Sequence, residues 1–236
     1  QTNSKRKIAM INRGTIEWPQ PGGEHFTRAQ EFTTTPGQNG WTAVLTGTTP
    51  TALCITADGG AAKLTLTSTS EAQLAVLYHN DVLAFDVAQL KWVEIVALVA
   101  GVDSATTIVM GVGSAHNTTL DSMATNAWFR MQGSASTTAV LAETDDATND
   151  FDDKATGQTL GATYKTFKID FQNGLADVRF YIEGERVAQA TTFKMSDLTA
   201  GLNVQPYIAV AKASGTGVPS ITIAKVDVVY NYAYGS

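Results

Sequence analysis

The chain has 236 residues, of which 44% are hydrophobic and only 16% charged, and its formal charge is -6 at pH 7. This length is ample for one large domain with a buried core. The acidic balance argues against nucleic-acid binding, because phosphate contacts need clustered lysine and arginine side chains. No run approaches the about 20 apolar residues of a membrane span, and the polar start lacks a secretory signal. We therefore predict no membrane insertion, and synthesis in the cytoplasm unless a signal has been removed.

The N-terminal segment differs in charge and composition from the rest of the chain. Residues 1–18 carry four basic side chains and one acidic one, a net charge of +3, which leaves -9 for the remainder. Residues 19–23 and 33–40 are interrupted by proline and glycine, which break regular structure. We therefore predict an arm and hinge over residues 1–40, followed by one β-sandwich domain over residues 41–236.

The composition, with many Thr, Ala, Val and Gly residues, favours short strands over long helices. Apolar residues alternate with polar ones in residues 63–67, 166–171, 178–183 and 225–230. This period of two is typical of antiparallel strands with one buried face. Asn173-Gly174 and Glu183-Gly184 lie between such stretches, where tight turns need residues that tolerate positive φ angles. The sequence therefore predicts consecutive hairpins.

Two stretches have a less regular pattern. Residues 86–102 would also suit one face of a helix, but their Val and Ile content and the stop at Gly101 favour a central strand buried on both sides. Residues 114–126 have no clear period, and we predict a loop with a helical turn around residues 120–123. The single cysteine, Cys54, excludes an internal disulfide and is predicted to be a small core residue.

Two neighbouring stretches resemble a known fold. The run from Tyr164 to Phe171, a short turn and the run from Asp177 to Gly184 resemble the concanavalin A-like lectin/glucanase jelly roll, in which an aromatic-rich strand precedes a hairpin strand that ends in an acidic-Gly turn. Residues 221–232 resemble the terminal strand of that family. The resemblance covers residues 60–232 and implies an all-β, antiparallel jelly-roll sandwich with an extended N-terminal arm.

A second resemblance concerns function. Residues 127–130, the polar run 143–153 and the Thr/Ala-rich composition resemble jelly-roll proteins encoded in tailed-phage genomes, some of which decorate the outside of the capsid. It implies a non-enzymatic structural protein of the phage particle, made in the host cytoplasm and placed on the capsid surface of the virion. Its partners would be the major capsid protein or neighbouring copies of itself, in a homo-oligomer that analogy with decoration proteins makes a trimer.

The N-terminal arm is the segment that we expect to make these contacts. Its basic side chains would form salt-sensitive contacts with an acidic neighbouring surface, and its apolar side chains would supply a short anchor. The predicted partner-binding residues are Lys5, Arg6, Lys7, Ile8, Met10, Ile11 and Arg13.

A carbohydrate-binding, lectin-like module is the alternative function, because the resembled fold serves it equally well. Trp41, Trp92 and Trp128 could stack on sugar rings. However, Trp92 lies in the most apolar strand and Trp128 lies beside Phe129, so we predict that these two belong to the core.

A glucanase-like hydrolase is the third hypothesis for the function, and the sequence argues against it. Glucanases of this fold place acids at alternating positions of one strand, and no Glu-x-Asp-x-x-Glu pattern occurs here. Glu183 and Glu185 flank a predicted hairpin tip, where exposed carboxylates usually serve solubility. His25, His79 and His116 are scattered along the chain, and no Gly-x-Ser-x-Gly motif is present. We therefore predict that the chain is not an enzyme.

An aspartate-rich run at residues 145–153 is the one candidate for metal binding. Hard cations such as Ca²⁺ prefer clustered carboxylate and amide oxygens, and legume-type members of the resembled fold bind metal through loop acids. The run does not match an EF-hand loop, and a solvated polar loop is the alternative interpretation. The predicted ligands of a weakly bound Ca²⁺ are Asp145, Asp146, Asp150 and Asp152.

Overall fold

The computed structural model describes residues 26–30, 40–56, 60–196 and 203–231. In these ranges the chain forms strands and two single-turn 3₁₀ helices, and no helix there is long and apolar enough to cross a membrane. The 3₁₀ helices are Val87–Gln89 and Leu120–Ser122. The strands are β1 (Phe26–Gln30), β2 (Thr42–Thr46), β3 (Thr51–Ile55), β4 (Ala61–Thr65), β5 (Gln73–Tyr78), β6 (Phe85–Asp86), β7 (Leu90–Ala100), β8 (Thr106–Gly113), β9 (Asn126–Gln132), β10 (Ala139–Asp145), β11 (Asp150–Thr159), β12 (Lys165–Asp170), β13 (Arg179–Ile182), β14 (Glu185–Val187), β15 (Asn203–Lys212) and β16 (Ser220–Tyr230).

The strands form two eight-stranded antiparallel sheets packed face to face. Sheet 1 has the order β14-β13-β12-β7-β16-β4-β3, and β1 also pairs with β16. Sheet 2 has the order β11-β10-β9-β8-β15-β5-β2, and β6 also pairs with β15. This architecture confirms the predicted all-β, antiparallel sandwich.

The predicted hairpins are confirmed in sheet 1, where β12, β13 and β14 follow one another. Phe167 and Ile169 of β12 are buried, while the other residues of this strand are half-buried. At the turn between β13 and β14, Glu183 has a φ of 52° and Gly184 a φ of 80°. Two consecutive positive φ angles are what a two-residue hairpin turn of this kind requires.

Two predictions about burial in sheet 1 are wrong. Residues 86–102 do contain a central strand, β7, but only one of its faces is fully buried: Val93 and Ile95 face the core, and the residues that alternate with them are half-buried. The reason is that the outer face of sheet 1 is open to solvent. Cys54 is also half-buried, because β3 is the last strand of this sheet.

The main core lies between the inner faces of the two sheets, where aromatic rings from both sheets meet. The ring of Phe129, from sheet 2, contacts the rings of Phe167 and Phe180, from sheet 1, in edge-to-face geometry with centroids 5.2 Å apart in both pairs. All three side chains are buried. Such aromatic pairs contribute both apolar burial and a specific geometry that holds the sheets in register.

The outer face of sheet 2 is also buried over much of its area. Residues 114–125, here called the cover segment, lie across it, and Leu120 and Met123 pack on Trp128 and Tyr207. As a result, β8 and β9 are buried on both faces. The cover segment is irregular except for the turn at Leu120–Ser122, which confirms the loop with a helical turn predicted for this stretch.

Two glycines in β8 make this close packing possible. A Cβ atom on Gly111 would lie 2.2 Å from the backbone oxygen of Ala127 and 2.7 Å from the Cα atom of Trp128. A Cβ atom on Gly113 would lie 2.4 Å from Cε of Met123 in the cover segment. At Gly111 the clash is with backbone atoms of β9, so only glycine fits there, whereas at Gly113 the flexible end of Met123 would have to move.

The sandwich extends further towards the N-terminus than the predicted boundary at residue 41. Strand β1 pairs with β16 from Phe26 opposite Tyr230 to Gln30 opposite Val226. A strand of sheet 1 therefore lies inside the span that was predicted as arm and hinge. The predicted partner-binding residues lie outside the described residues; they are Lys5, Arg6, Lys7, Ile8, Met10, Ile11 and Arg13.

Replacing Gly111 by alanine should lower the free energy of unfolding by about 1–3 kcal/mol, because the new methyl group forces backbone atoms of β9 apart. The measurement is urea denaturation followed by tryptophan fluorescence. Gly161→Ala is the matched control, since its added Cβ meets nothing closer than Cε of Lys165 at 3.6 Å. Equal losses in the two variants would contradict this account of the outer face.

Candidate functional site

A cleft of about 390 Å³ opens on the outer face of sheet 2, beside the cover segment. This volume lies in the range of small-molecule sites, roughly 300–1,000 Å³. Its walls come from the strands of sheet 2, from the cover segment and from the loops at one end of the sandwich. The lining residues are Thr46, Ala72, Gln73, Leu74, Ala105, Thr107, Thr118, Thr119, Leu120, Asp121, Arg130, Gln132, Ala211, Lys212 and Ala213.

The register of sheet 2 brings the floor of the cleft together. Thr107 of β8 lies opposite Gln132 of β9 on one side and Ala211 of β15 on the other, and Ala211 lies opposite Leu74 of β5. These residues come from four strands that are far apart in sequence. Because cross-strand partners share a face, their side chains form one row, which is polar at Gln132 and Thr107 and apolar at Ala211 and Leu74.

Arg130 is the centre of the polar contacts in this region. Its Nη1 lies 2.7 Å from Oδ1 of Asp121 and donates a hydrogen bond of 3.0 Å to Oε2 of Glu143. Its Nε and Nη2 donate to Oε1 of Gln132 at 3.0 and 2.8 Å, and Nε lies 3.6 Å from Oδ1 of Asp153. Arg130 and Glu143 are only 5% and 2% exposed. A charge that is buried this deeply needs such partners, since losing them leaves it unpaired away from water.

Burial and the ion pair act in opposite directions on the two buried groups. Burial raises the pKa of Glu143 to about 7, although the Arg130 guanidinium opposes the rise. Burial also works against the charge of Arg130, but the carboxylate of Glu143 raises the pKa of Arg130 above its ordinary value. Arg130 therefore stays charged, and Glu143 is the group in this region that titrates near neutral pH.

A second polar cluster holds the beginning of the cover segment. Oε1 of the fully buried Gln205 accepts hydrogen bonds of 3.1 Å from the backbone nitrogens of His79 and Asp81, and its Nε2 donates to Oδ1 of Asp81 and to the backbone oxygen of Ser114. The backbone nitrogen of His116 donates to the same Oδ1 at 2.7 Å. The turn at residues 79–81 is thereby joined to the cover segment.

His116 itself contacts sheet 2 through its ring. Its Nδ1 lies 2.7 Å from the hydroxyl of Tyr207, and the two rings are stacked. Burial lowers the pKa of His116 and raises that of Tyr207. His79 and His116, which are far apart in the sequence, therefore reach the same end of the sheet; His25 lies outside the described residues. Here they support the cover segment and lie outside the cleft wall.

The aspartate run forms the hairpin between β10 and β11. Oδ1 of Asp145 accepts a hydrogen bond from the backbone nitrogen of Ala147 at 2.7 Å, and Oδ1 of Asp146 accepts one from that of Thr148 at 2.9 Å. Such contacts shape turns. Among the described residues, no three His, Cys, Asp or Glu side chains are placed to hold a metal ion. The structure thus does not gather the predicted ligands into a metal site; these are Asp145, Asp146, Asp150 and Asp152.

The three tryptophans considered as sugar platforms do not line the cleft. Trp128 is fully buried, as predicted, and Trp41 is 3% exposed. The prediction that Trp92 belongs to the core is wrong. It is half-buried on the outer face of sheet 1, where Nζ of Lys168 lies 4.6 Å from its ring centroid.

No family model and no curated protein matches the chain. Solved structures do. The GH16 protein of the Bacteroides ovatus mixed linkage glucan PUL, in complex with a G4G4G3G product, gives a TM-score of 0.62 at 10% identity, over 85% of this chain and 99% of that one. A protein of unknown function from Shewanella oneidensis MR-1 gives a TM-score of 0.59 at 11% identity, over 90% of this chain and 89% of that one. The carbohydrate recognition domain of Emp46p, in a potassium-bound form, gives a TM-score of 0.53 at 12% identity, over 85% of this chain and 94% of that one.

The fold is that of the concanavalin A-like lectins and glucanases. These identities show a shared fold and no more, because one sandwich hosts many unrelated functions. In this concanavalin A-like sandwich, the outer face of sheet 2 carries both the cleft and the ion pair of Arg130 with Glu143.

The raised pKa of Glu143 predicts a pH-dependent stability. Between its ordinary pKa of 4.5 and about 7, the folded protein holds a proton on Glu143 that the unfolded chain has lost. The free energy of unfolding should therefore fall as the pH rises through this window, by at most roughly 3 kcal/mol. Glu143→Gln should remove this loss, and Glu185→Gln, at an exposed hairpin tip, should retain it. Urea denaturation at about pH 5 and about pH 8 measures this fall in the free energy of unfolding. If the wild type and Glu143→Gln show the same pH dependence, Glu143 is not its source.

Proposed function

We propose that this chain is a non-catalytic glycan-binding module whose ligand occupies the cleft on the outer face of sheet 2. The observation that carries this proposal is the cleft itself, about 390 Å³ in volume and walled by hydroxyl, amide, charged and small apolar side chains. Pockets that combine apolar walls with a few converging polar groups are the usual ligand sites of proteins.

The solved structures of the same fold support a carbohydrate as the ligand. The GH16 protein of Bacteroides ovatus is in complex with an oligosaccharide product, and the Emp46p domain is a carbohydrate recognition domain. Both cover most of this chain with TM-scores above 0.5.

The placement of Arg130 favours binding over hydrolysis. A glycosidase needs two carboxyl groups that flank the scissile bond, one as acid and one as nucleophile or base. Asp121 and Glu143 both contact Nη1 of Arg130, so the guanidinium occupies the space between them. Glu143 is also 2% exposed and does not line the cleft.

The charges around the cleft favour a neutral glycan. The positive charge of Arg130 is offset by Asp121 and Asp153, and above about pH 7 also by Glu143. A uronic acid or sulfated sugar would therefore meet no excess of positive charge at Arg130. Threonine hydroxyls can exchange hydrogen bonds with sugar hydroxyls, and Leu74 and Leu120 offer apolar surface to the sugar ring.

Filling the cleft should weaken glycan binding. Thr46 is exposed and lines the cleft, so Thr46→Trp should lower affinity at least about tenfold, a loss of about 1.4 kcal/mol, without disturbing the core. Thr163→Trp, exposed and outside the cleft lining, is the control. The assay is calorimetry with neutral gluco-, manno- and galacto-oligosaccharides, alongside hyaluronan and chondroitin sulfate. The proposal fails if no neutral oligosaccharide binds, or if both variants bind equally.

As a second function we propose a structural role in a virion, with this module on the capsid surface. The observation that favours it is the charge separation between residues 1–18, at +3, and the acidic remainder of the chain, at -9. The partners would be the major capsid protein or further copies of the chain, in a trimer. The two functions are compatible, because they would use different residues: the N-terminal segment for assembly and the cleft lining for a glycan.

Removing residues 1–25 tests this second function while keeping β1 in sheet 1. Sedimentation of the full chain should reveal an oligomer at low salt that weakens at high salt, because exposed charges are screened. The truncated chain should remain folded and sediment as a monomer. If both chains are monomers, or both form the same oligomer, assembly through the N-terminal segment is wrong.

A further inference from the structure

Lys212 lies at the end of β15, where the two sheets are joined. Its side chain is 3% exposed. Two loops pass from one sheet to the other around it: residues 66–72 connect β4 of sheet 1 to β5 of sheet 2, and residues 213–219 connect β15 of sheet 2 to β16 of sheet 1. This lysine therefore lies at the junction of two connections that close one end of the sandwich.

The ammonium group of Lys212 is surrounded by backbone carbonyl oxygens from both loops. Nζ donates to the oxygens of Thr69 at 2.9 Å, Gly215 at 3.0 Å and Gly217 at 3.2 Å, and also to that of Thr67. Four acceptors thus converge on a group that has three protons. Within the described part of the chain, no carboxylate forms a salt bridge with Nζ. The buried charge is balanced by carbonyl dipoles.

Other contacts also hold the two loops that carry these oxygens. The side chain of Gln73, 2% exposed, donates from Nε2 to Oγ1 of Thr67 at 2.7 Å and to the backbone oxygen of Thr48 at 3.1 Å. In the other loop, a Cβ atom on Gly217 would lie 1.9 Å from Oδ2 of Asp103, so the loop packs directly on that side chain. Asp103 is fixed in turn by Thr106, whose Oγ1 donates to its Oδ1 at 2.7 Å.

We propose that these four carbonyl oxygens form a site for a monovalent cation, which the Lys212 ammonium fills from within the chain. Once the ammonium group is removed, K⁺ or NH₄⁺ takes its place. Rings of neutral carbonyl oxygens replace the hydration shell of K⁺ in other proteins. Divalent ions fit this site poorly, because Ca²⁺ and Mg²⁺ take shorter bonds, about 2.0–2.6 Å, and prefer carboxylates.

The site also has a consequence for the cleft. Ala72 is the last residue of one loop and Ala213 the first residue of the other, and both line the cleft. An occupied cation site therefore keeps part of the cleft wall in position. The inference goes beyond glycan binding, and its test needs no glycan, so either proposal can fail without the other.

The test compares two substitutions of Lys212 in the full chain. Lys212→Ala removes the ammonium group and leaves the site open, whereas Lys212→Met places an uncharged chain of similar length in it. Thermal unfolding is recorded in KCl, NH₄Cl and tetramethylammonium chloride at equal ionic strength. For Lys212→Ala, we expect a midpoint higher by at least about 3 °C in K⁺ or NH₄⁺ than in tetramethylammonium, which is too large to enter. Wild type and Lys212→Met should show no such difference.

If Lys212→Ala is unfolded in tetramethylammonium, recovery of its folded fluorescence in K⁺ or NH₄⁺ is the same comparison. A measurement on the wild type completes the test. The ammonium protons of Lys212, observed by ¹⁵N NMR, should exchange with water more slowly than those of the exposed lysines. The proposal is overturned if Lys212→Ala and Lys212→Met respond alike to the three salts, or if the Lys212 protons exchange as fast as exposed ones.

Discussion

Burial of both faces of sheet 2 is the constraint on which the rest of the molecule depends. The inner face packs on sheet 1 through Phe129 and its aromatic partners, and the outer face packs under the cover segment through Trp128. Gly111 leaves room for the backbone of β9 beside Trp128, and Gly113 leaves room for the end of the Met123 side chain from the cover segment. Where the cover segment ends, the face is open, and the cleft lies there. Its position is thus a consequence of packing.

The ion pair of Arg130 with Glu143 joins this packing to the chemistry of the cleft. The two side chains project from neighbouring strands, β9 and β10, and Asp121 of the cover segment binds the same guanidinium. The contact between Arg130 and Asp121 holds the cover segment to the sheet. The Arg130 side chain in this contact is buried, and that of Asp121 is exposed. The guanidinium of Arg130 thus lies between the carboxylates of Asp121 and Glu143.

Whether a strand could be predicted from the sequence depended on whether one or both of its faces are buried. In β12, Phe167 and Ile169 alternate with half-buried residues, and a period of two was visible. In β9, residues 126–131 are all buried, so no period marks the strand. A charged residue inside that apolar run was nevertheless a signal: a buried Arg130 requires an acidic partner. Its partner, Glu143, lies on the next strand, and only the register of β9 with β10 identifies it.

The sequence by itself determined the strands with one buried face, the tight turn at residues 183–184 and the sandwich class, because alternation and turn propensity act between residues that are close along the chain. Only the tertiary structure decided that β1 belongs to sheet 1, that Trp92 lies on an open face, and that a cleft forms beside the cover segment. The same holds for the surroundings of Lys212. Its partners are backbone carbonyl oxygens, which every residue carries, so their convergence depends on the paths of two loops and on no side chain that a sequence pattern could reveal.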